Sequence, residues 1–112
     1  MSENRPLRPK LTPKARQALK RRAHALKPVV LMGRKGLTDA VLAEIDRSLE
    51  AHELIKVRLS GDREERRHLA SQIASHVGAE LVQLIGKVAV FYRPQEDTLN
   101  EESHKGEKRR KE

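Results

Sequence analysis

Apolar residues along this chain recur at two spacings, and each switch between them marks a boundary. Ala15, Leu19, Ala23 and Leu26 share one face at about 100° per residue, with Ala18 at its edge. That spacing predicts a helix. Thr12 and Pro13 set its start, a hydroxyl cap followed by proline where the missing N–H costs nothing. The helix is expected to run to about Leu26, with Pro28 stopping it. Arg16, Lys20 and Lys27 then fall on one flank, and Lys14 and Arg21 on the other. Arg22 lands inside the apolar stripe, so it has to snorkel or lie beyond the covered part of the helix. Val29–Met32 follows as a short apolar strand.

A second helical stripe, Val41, Leu42, Ile45 and Leu49, begins behind a Thr38 cap and runs to about His52. Its other faces carry Asp39, Glu44, Asp46 and Glu50, an ordinary solvated surface. Leu54–Ser60 alternates: Ile55, Val57 and Leu59 point one way, Leu54, Lys56 and Arg58 the other. One face of that strand is therefore partly basic. Gly61-Asp62 leads into a third helix with Leu69, Ala70, Ile73 and Val77 as its stripe. Asp62 and Glu65 have capping-box spacing, and Gly78 is a C-terminal stop. Arg63, Arg66 and Arg67 lie beside Glu64 and Glu65, which suggests surface ion pairing. Glu80–Ile85 and Lys87–Arg93 read as strands joined by a tight turn at Gly86, and Pro94 ends the domain.

Strands separated by helices favour parallel pairing, and the closing hairpin has to add an antiparallel neighbour. The expected fold is α/β: an α-β-α-β-α-β-β two-layer-type sandwich on a mixed four-stranded sheet. No internal repeat is visible. Residues 1–10 are polar, contain Pro6 and Pro9, and read as a flexible basic arm. Residues 95–112 mix charges with almost no apolar residues and read as a disordered tail. One domain over 11–94 is what a chain of 112 residues holds, with a modest core and no cleft between domains.

Net charge is +8, and its placement matters more than its size. Residues 1–37 carry eleven Lys/Arg against Glu3 alone, while residues 38–94 and 95–112 each come to −1. An excess confined to one segment favours a polyanionic partner over a generally basic surface. The absence of Cys excludes disulfides, thiolate catalysis and Cys-based zinc sites. His24, His52, His68, His76 and His104 show neither HxxxH nor HExxH spacing, so no metal is expected. No apolar run approaches the ~20 residues of a membrane span, and the N-terminus lacks the apolar stretch of a secretory signal. The expectation is a cytoplasmic monomer without cofactor or membrane association.

Gly33-Arg34-Lys35-Gly36 lies between the apolar run and the Thr38 helix start. Two glycines let the backbone turn sharply and approach a partner, since neither has a Cβ. Two cations sit between them, and the helix that follows aims backbone N–H groups toward the same place. That combination suits a phosphate. A nucleotide P-loop is a poor fit, because it needs Gly-Lys-Ser/Thr after four spacers and Leu37 follows Gly36 here. The K-homology domain also clamps a nucleic-acid backbone with GxxG, but its loop joins two helices.

The run L-T-P-K-A-R-Q-A-L-K-R-R-A-H-A-L-K-P-V-V-L-M-G-R-K-G-L-T resembles the bacterial YhbY proteins, stand-alone members of the CRM RNA-binding domain family. So do V-L-A-E-I-D-R-S-L-E-A-H-E-L-I-K-V-R-L and the later G-A-E-L-V-Q-L-I-G-K-V-A-V-F-Y-R. The resemblance covers about Leu11 to Arg93. It implies a fold similar to the C-terminal domain of translation initiation factor three with an added N-terminal helix. It also implies RNA binding through the GxxG loop, which maps onto Gly33, Arg34, Lys35 and Gly36, and through a basic first helix, which maps onto Arg16, Lys20, Arg21 and Lys27. Bacterial members are associated with precursors of the large ribosomal subunit, and plant organellar relatives assist group II intron splicing. The implied partner is ribosomal RNA in such precursors.

Lys56 and Arg58, on the basic strand face, join the candidate RNA-binding set. Phe91 and Tyr92 are the whole aromatic complement, and strand alternation sends one of them to the core. A stacking platform of rings is therefore nearly unavailable, which favours reading of backbone shape and phosphates. Two other classes compete. A small hydrolase or transferase could hold a phosphorylated substrate on the loop, but no catalytic cluster accompanies it, and the chain is expected not to be an enzyme. An adaptor could set the same basic face against an acidic protein partner in translation.

Overall fold

The computed structural model describes residues 11–94; the expected arm over 1–10 and tail over 95–112 lie outside the described residues. The elements follow the expected order: α1 (Pro13–His24), β1 (Pro28–Leu31), α2 (Asp39–His52), β2 (Leu54–Arg58), α3 (Arg63–Val77), β3 (Glu80–Ile85) and β4 (Val88–Tyr92). Local signals explain most of the boundaries. The Thr12 hydroxyl accepts from the Ala15 amide, with Pro13 behind it, and the Thr38 hydroxyl accepts from Val41. At α3 the capping box is complete in both directions: Glu65 N–H donates to Asp62 at 2.8 Å, and Asp62 N–H donates to Glu65 at 2.7 Å. Gly78 closes that helix in the left-handed region at φ 65°.

α1 ends at His24, two residues before the expected Leu26. Ala25 is its C-cap, and the Leu26 amide turns back to the Ala23 carbonyl. Lys27 therefore stands in the connection to β1 and is not part of a helical flank.

The sheet order is β1-β2-β4-β3. β1 runs parallel to β2, and β4 is antiparallel to both β2 and β3. β2 and β3, linked through α3, thus point the same way, as helix-separated strands do. The last strand folds back into the gap between them. The mixed sheet follows.

Alternation along the strands splits the core in two. On one face α2 and α3 bring Ile45, Leu49, Ala70 and Ile73 onto Val30, Ile55, Val57, Ala89 and Phe91. α1 packs on the opposite face, where Leu19 and Ala23 meet Leu54, Val82 and Val90, with Tyr92 alongside. Phe91, Ile45, Leu49 and Ile73 are fully enclosed. Each such side chain contributes about 1.5–3 kcal/mol through burial. Phe91 and Tyr92 pack on opposite faces, and burial together with the Glu53 carboxylate holds the Tyr92 phenol above its ordinary pKa, with Arg22 opposing. Arg22 itself is exposed and lies off the covered stripe.

Arg93 fastens the end of the sheet to both helices beneath it. One terminal nitrogen donates to the Asp46 carboxylate at 2.8 Å and to the Val77 carbonyl at 2.7 Å, and the other to the Asp46 carbonyl at 3.2 Å. Among the described residues no helix is long and apolar enough to cross a membrane.

Candidate nucleic-acid interface

Gly33 to Gly36 form a tight turn closed by the Gly36 amide donating to the Gly33 carbonyl at 3.0 Å. Arg34 and Lys35 occupy its two central positions and are exposed. Among the described residues neither has a hydrogen-bond or ion-pair partner. The two glycines differ in a way that matters. Gly36 has φ 75°, a conformation that L side chains rarely adopt. Gly33 lies outside that region, and a Cβ built on it meets nothing within 4 Å. The fold itself thus imposes no glycine at 33, and the space that a Cβ there would fill is open.

The helix N-terminus after the loop contributes less than its position in the sequence suggests. Thr38 already takes the Val41 amide, and an acid, Asp39, holds the first helical position. The anion-binding capacity of this region therefore rests on the turn, its two cations and those of its amides that, unlike the Gly36 N–H, have no partner among the described residues.

The turn is anchored from behind. Met32 N–H donates to the Arg58 carbonyl at 2.8 Å, and the Ser60 hydroxyl reaches the Gly33 carbonyl at 3.5 Å. Leu59 N–H donates to the Lys87 carbonyl at 2.7 Å, which brings the β3–β4 turn to the same end of the sheet. Arg66 closes that end by donating to the carbonyls of Gly86 at 2.9 Å and Gly61 at 2.7 Å. Its guanidinium serves backbone oxygens, in place of the carboxylates that its neighbours in sequence suggest. The reason is geometric: α3 starts beside the hairpin turn, and Glu65 is occupied by its cap.

Of the helix cations, Lys20 and Arg21 border one groove between α1 and the sheet, and Lys56 lies within it. Lys56 also donates to the Leu26 carbonyl at 2.9 Å, tying the α1–β1 connection to β2. Arg58 pairs in register with Leu31, two residues before Gly33, and is exposed on the α1 side of the sheet. Lys27 is exposed in the connection. Arg16 is placed differently. Its guanidinium donates to the carbonyls of Leu81 at 2.8 Å and Val82 at 3.1 Å, where the β3–β4 register shifts. It holds α1 against β3 and stands apart from the exposed cations near the turn.

Lys87 is the residue that the sequence conceals. It is exposed at the same end as Arg34 and Lys35, yet in sequence it reads only as the first, polar residue of the closing strand. Knowing that β4 lies next to β2 is what brings it into view. The candidate cations thus lie on three elements: the turn after β1, the α1 side of β2, and the edge of α1 that borders the groove.

Residues 11–93 match the family model described as the CRS1 / YhbY (CRM) domain. An RNA-binding protein of Haemophilus influenzae is 48% identical over 88 residues, spanning 78% of this chain and 89% of the relative. A probable RNA-binding protein of Pseudomonas aeruginosa is 44% identical over 84 residues, spanning 74% of this chain and 81% of the relative. In structure the chain is similar to a Staphylococcus aureus protein solved in solution. That similarity has a TM-score of 0.70 at 34% identity and covers 78% of this chain and 92% of the other.

Proposed function

The chain belongs to the CRS1/YhbY (CRM) domain family, and we propose that it binds RNA in precursors of the large ribosomal subunit and acts in ribosome assembly. The observation that carries this reading is the turn at Gly33–Gly36: two exposed cations without partners among the described residues, beside a glycine that the fold does not require. Arg34, Lys35 and the turn amides grip a phosphate bend. Lys20, Arg21, Lys27 and Arg58 hold the adjoining backbone, and Lys56 supports it from the groove. Arg16 acts indirectly, by keeping α1 in place. Each side-chain contact is electrostatic and indifferent to base identity, so affinity comes from backbone shape and charge. The work is done in the cytoplasm, where such precursors are assembled.

The decisive test is Arg34→Glu combined with Lys35→Glu, read by RNA-binding titration and by sedimentation of ribosomal particles from cells. Both side chains are exposed and unpartnered among the described residues, so the fold should be retained. Affinity should collapse, and immature large-subunit particles should accumulate. Unchanged affinity and an unchanged particle profile would remove the turn from the mechanism. Nuclease treatment of a pull-down separates this reading from an adaptor role, because an acidic protein partner held directly survives digestion.

A further inference from the structure

α1 covers only part of its face of the sheet. Strand register sets Leu31 beside Arg58, Arg58 beside Val88, and Val88 beside Ile85, one row across all four strands. The residues preceding or following them in each strand, Val30, Val57, Ala89 and Leu84, pack into the α2–α3 core, so this row faces the α1 side. α1 leaves it open: Leu31 is 67% exposed and Ile85 63%. The next row, with Lys56, Val90 and Gln83, floors a groove of about 690 Å³ whose rim carries Lys20 and Arg21.

Single exposed aliphatic side chains are ordinary. Here two large ones end one row, a cation stands between them, and the row adjoins both the groove and the cationic turn. Such a surface calls for a partner with apolar faces and regularly spaced negative charges.

Resting on the RNA-binding reading above, we infer that this open row and groove bind unpaired nucleotides, with bases lying on Leu31, Val88 and Ile85 and phosphates held by Arg58, Lys20 and Arg21. A duplex does not meet the requirement, because its bases are stacked inside and it offers phosphates and sugars. A second copy of the chain would set cation against cation. Residues 1–10, with Arg5, Arg8 and Lys10 against Glu3, carry the wrong charge to cover it. Aliphatic contact tolerates any base, so the RNA preferred is unpaired without being of one sequence.

The test is Leu31→Ser with Ile85→Ser, both at exposed positions, with thermal melting to verify the fold. Three fluorescent probes are titrated: a ten-nucleotide single-stranded RNA, a duplex of the same sequence, and the single strand with its central bases removed. The double variant should bind the single strand roughly tenfold more weakly and the duplex within about twofold of the parent, with an unchanged salt slope. The strand lacking bases should bind the parent protein roughly tenfold more weakly and lose nothing further in the variant. Equal loss on single strand and duplex, no loss on the single strand, or full affinity for the strand without bases each overturns the inference. So does loss of a nuclease-resistant protein from a pull-down, or of self-association, with RNA binding intact. Failure of the underlying reading looks different: the parent protein binds none of the three probes, and Arg34→Glu with Lys35→Glu changes nothing.

Discussion

Replacing Gly33 and Gly36 one at a time by alanine separates what the fold needs from what a partner needs. Gly36 is held at φ 75°, so its Cβ meets backbone strain although no neighbour lies within 4 Å. That strain costs about 1 kcal/mol, or a fall in Tm of roughly 4–8 °C for a domain of this size. Gly33 carries no such constraint, and alanine there also reduces the freedom of the unfolded chain. Gly33→Ala should therefore be neutral or up to about 1 kcal/mol stabilising. Its effect on RNA should be the reverse. A methyl group in the open space beside the turn keeps a phosphate from one backbone donor, and a hydrogen bond to a charged group is worth about 1.5–3 kcal/mol. The dissociation constant should rise roughly ten- to a hundredfold. Circular dichroism melting and fluorescence anisotropy on a short RNA measure the two quantities on one sample. A Gly33→Ala protein that melts like the parent and binds like the parent refutes close backbone approach at the turn. One that melts several degrees lower refutes the claim that the fold is indifferent to glycine there.

Contact with roughly four to six phosphates predicts that log K falls with log salt at a slope of about −3 to −4, measured by titration across a salt series. A flat response would contradict electrostatic binding. Arg93→Ala should cost about 2 kcal/mol in urea unfolding, because it removes bonds to α2 and α3 together. Asp46→Ala should cost less than about 1 kcal/mol, since that carboxylate is half exposed. Gly61→Ala places a Cβ 2.7 Å from the Glu65 carboxylate at φ 98°, so it should destabilise by roughly 1–3 kcal/mol. Combined with Glu65→Ala the loss should fall short of the sum, because part of it is the same collision. Additive losses would place the whole cost in the backbone.

Much of the fold is legible in the sequence because its signals are local. Thr12-Pro13, Thr38, the Asp62–Glu65 box and Gly78 each act within a few residues, and each sets an element boundary in the structure. The stripes of α2 and α3 name the residues that meet in the larger core. The end of α1 is less legible because Ala25, Leu26 and Lys27 are all tolerated in a helix, and Pro28 restricts only the residue before it. The candidate site divides in the same way. Gly33, Arg34, Lys35 and Gly36 are contiguous and can be read together. Arg16 looks like any other cation on α1 until β3 offers it the Leu81 and Val82 carbonyls. Lys87, and the row from Leu31 to Ile85, depend on β4 lying between β2 and β3. That strand order is a property of pairing at long range, which side-chain periodicity does not encode.

The insertion of β4 between β2 and β3 also sets a timetable. β1 and the cationic turn precede it by some way in the chain, but the hydrogen bond from Leu59 to Lys87 and the clamp from Arg66 to Gly86 await the β3–β4 hairpin. Pairing of Leu54–Arg58 with Val88–Tyr92 closes a long loop, the kind of contact that slows folding. During synthesis the segment richest in positive charge therefore leaves the ribosome well before the strand that completes its support. The contacts behind the turn that run through Lys87 and Gly86 thus form only with the closure of the sheet, after the cationic segment itself has been made.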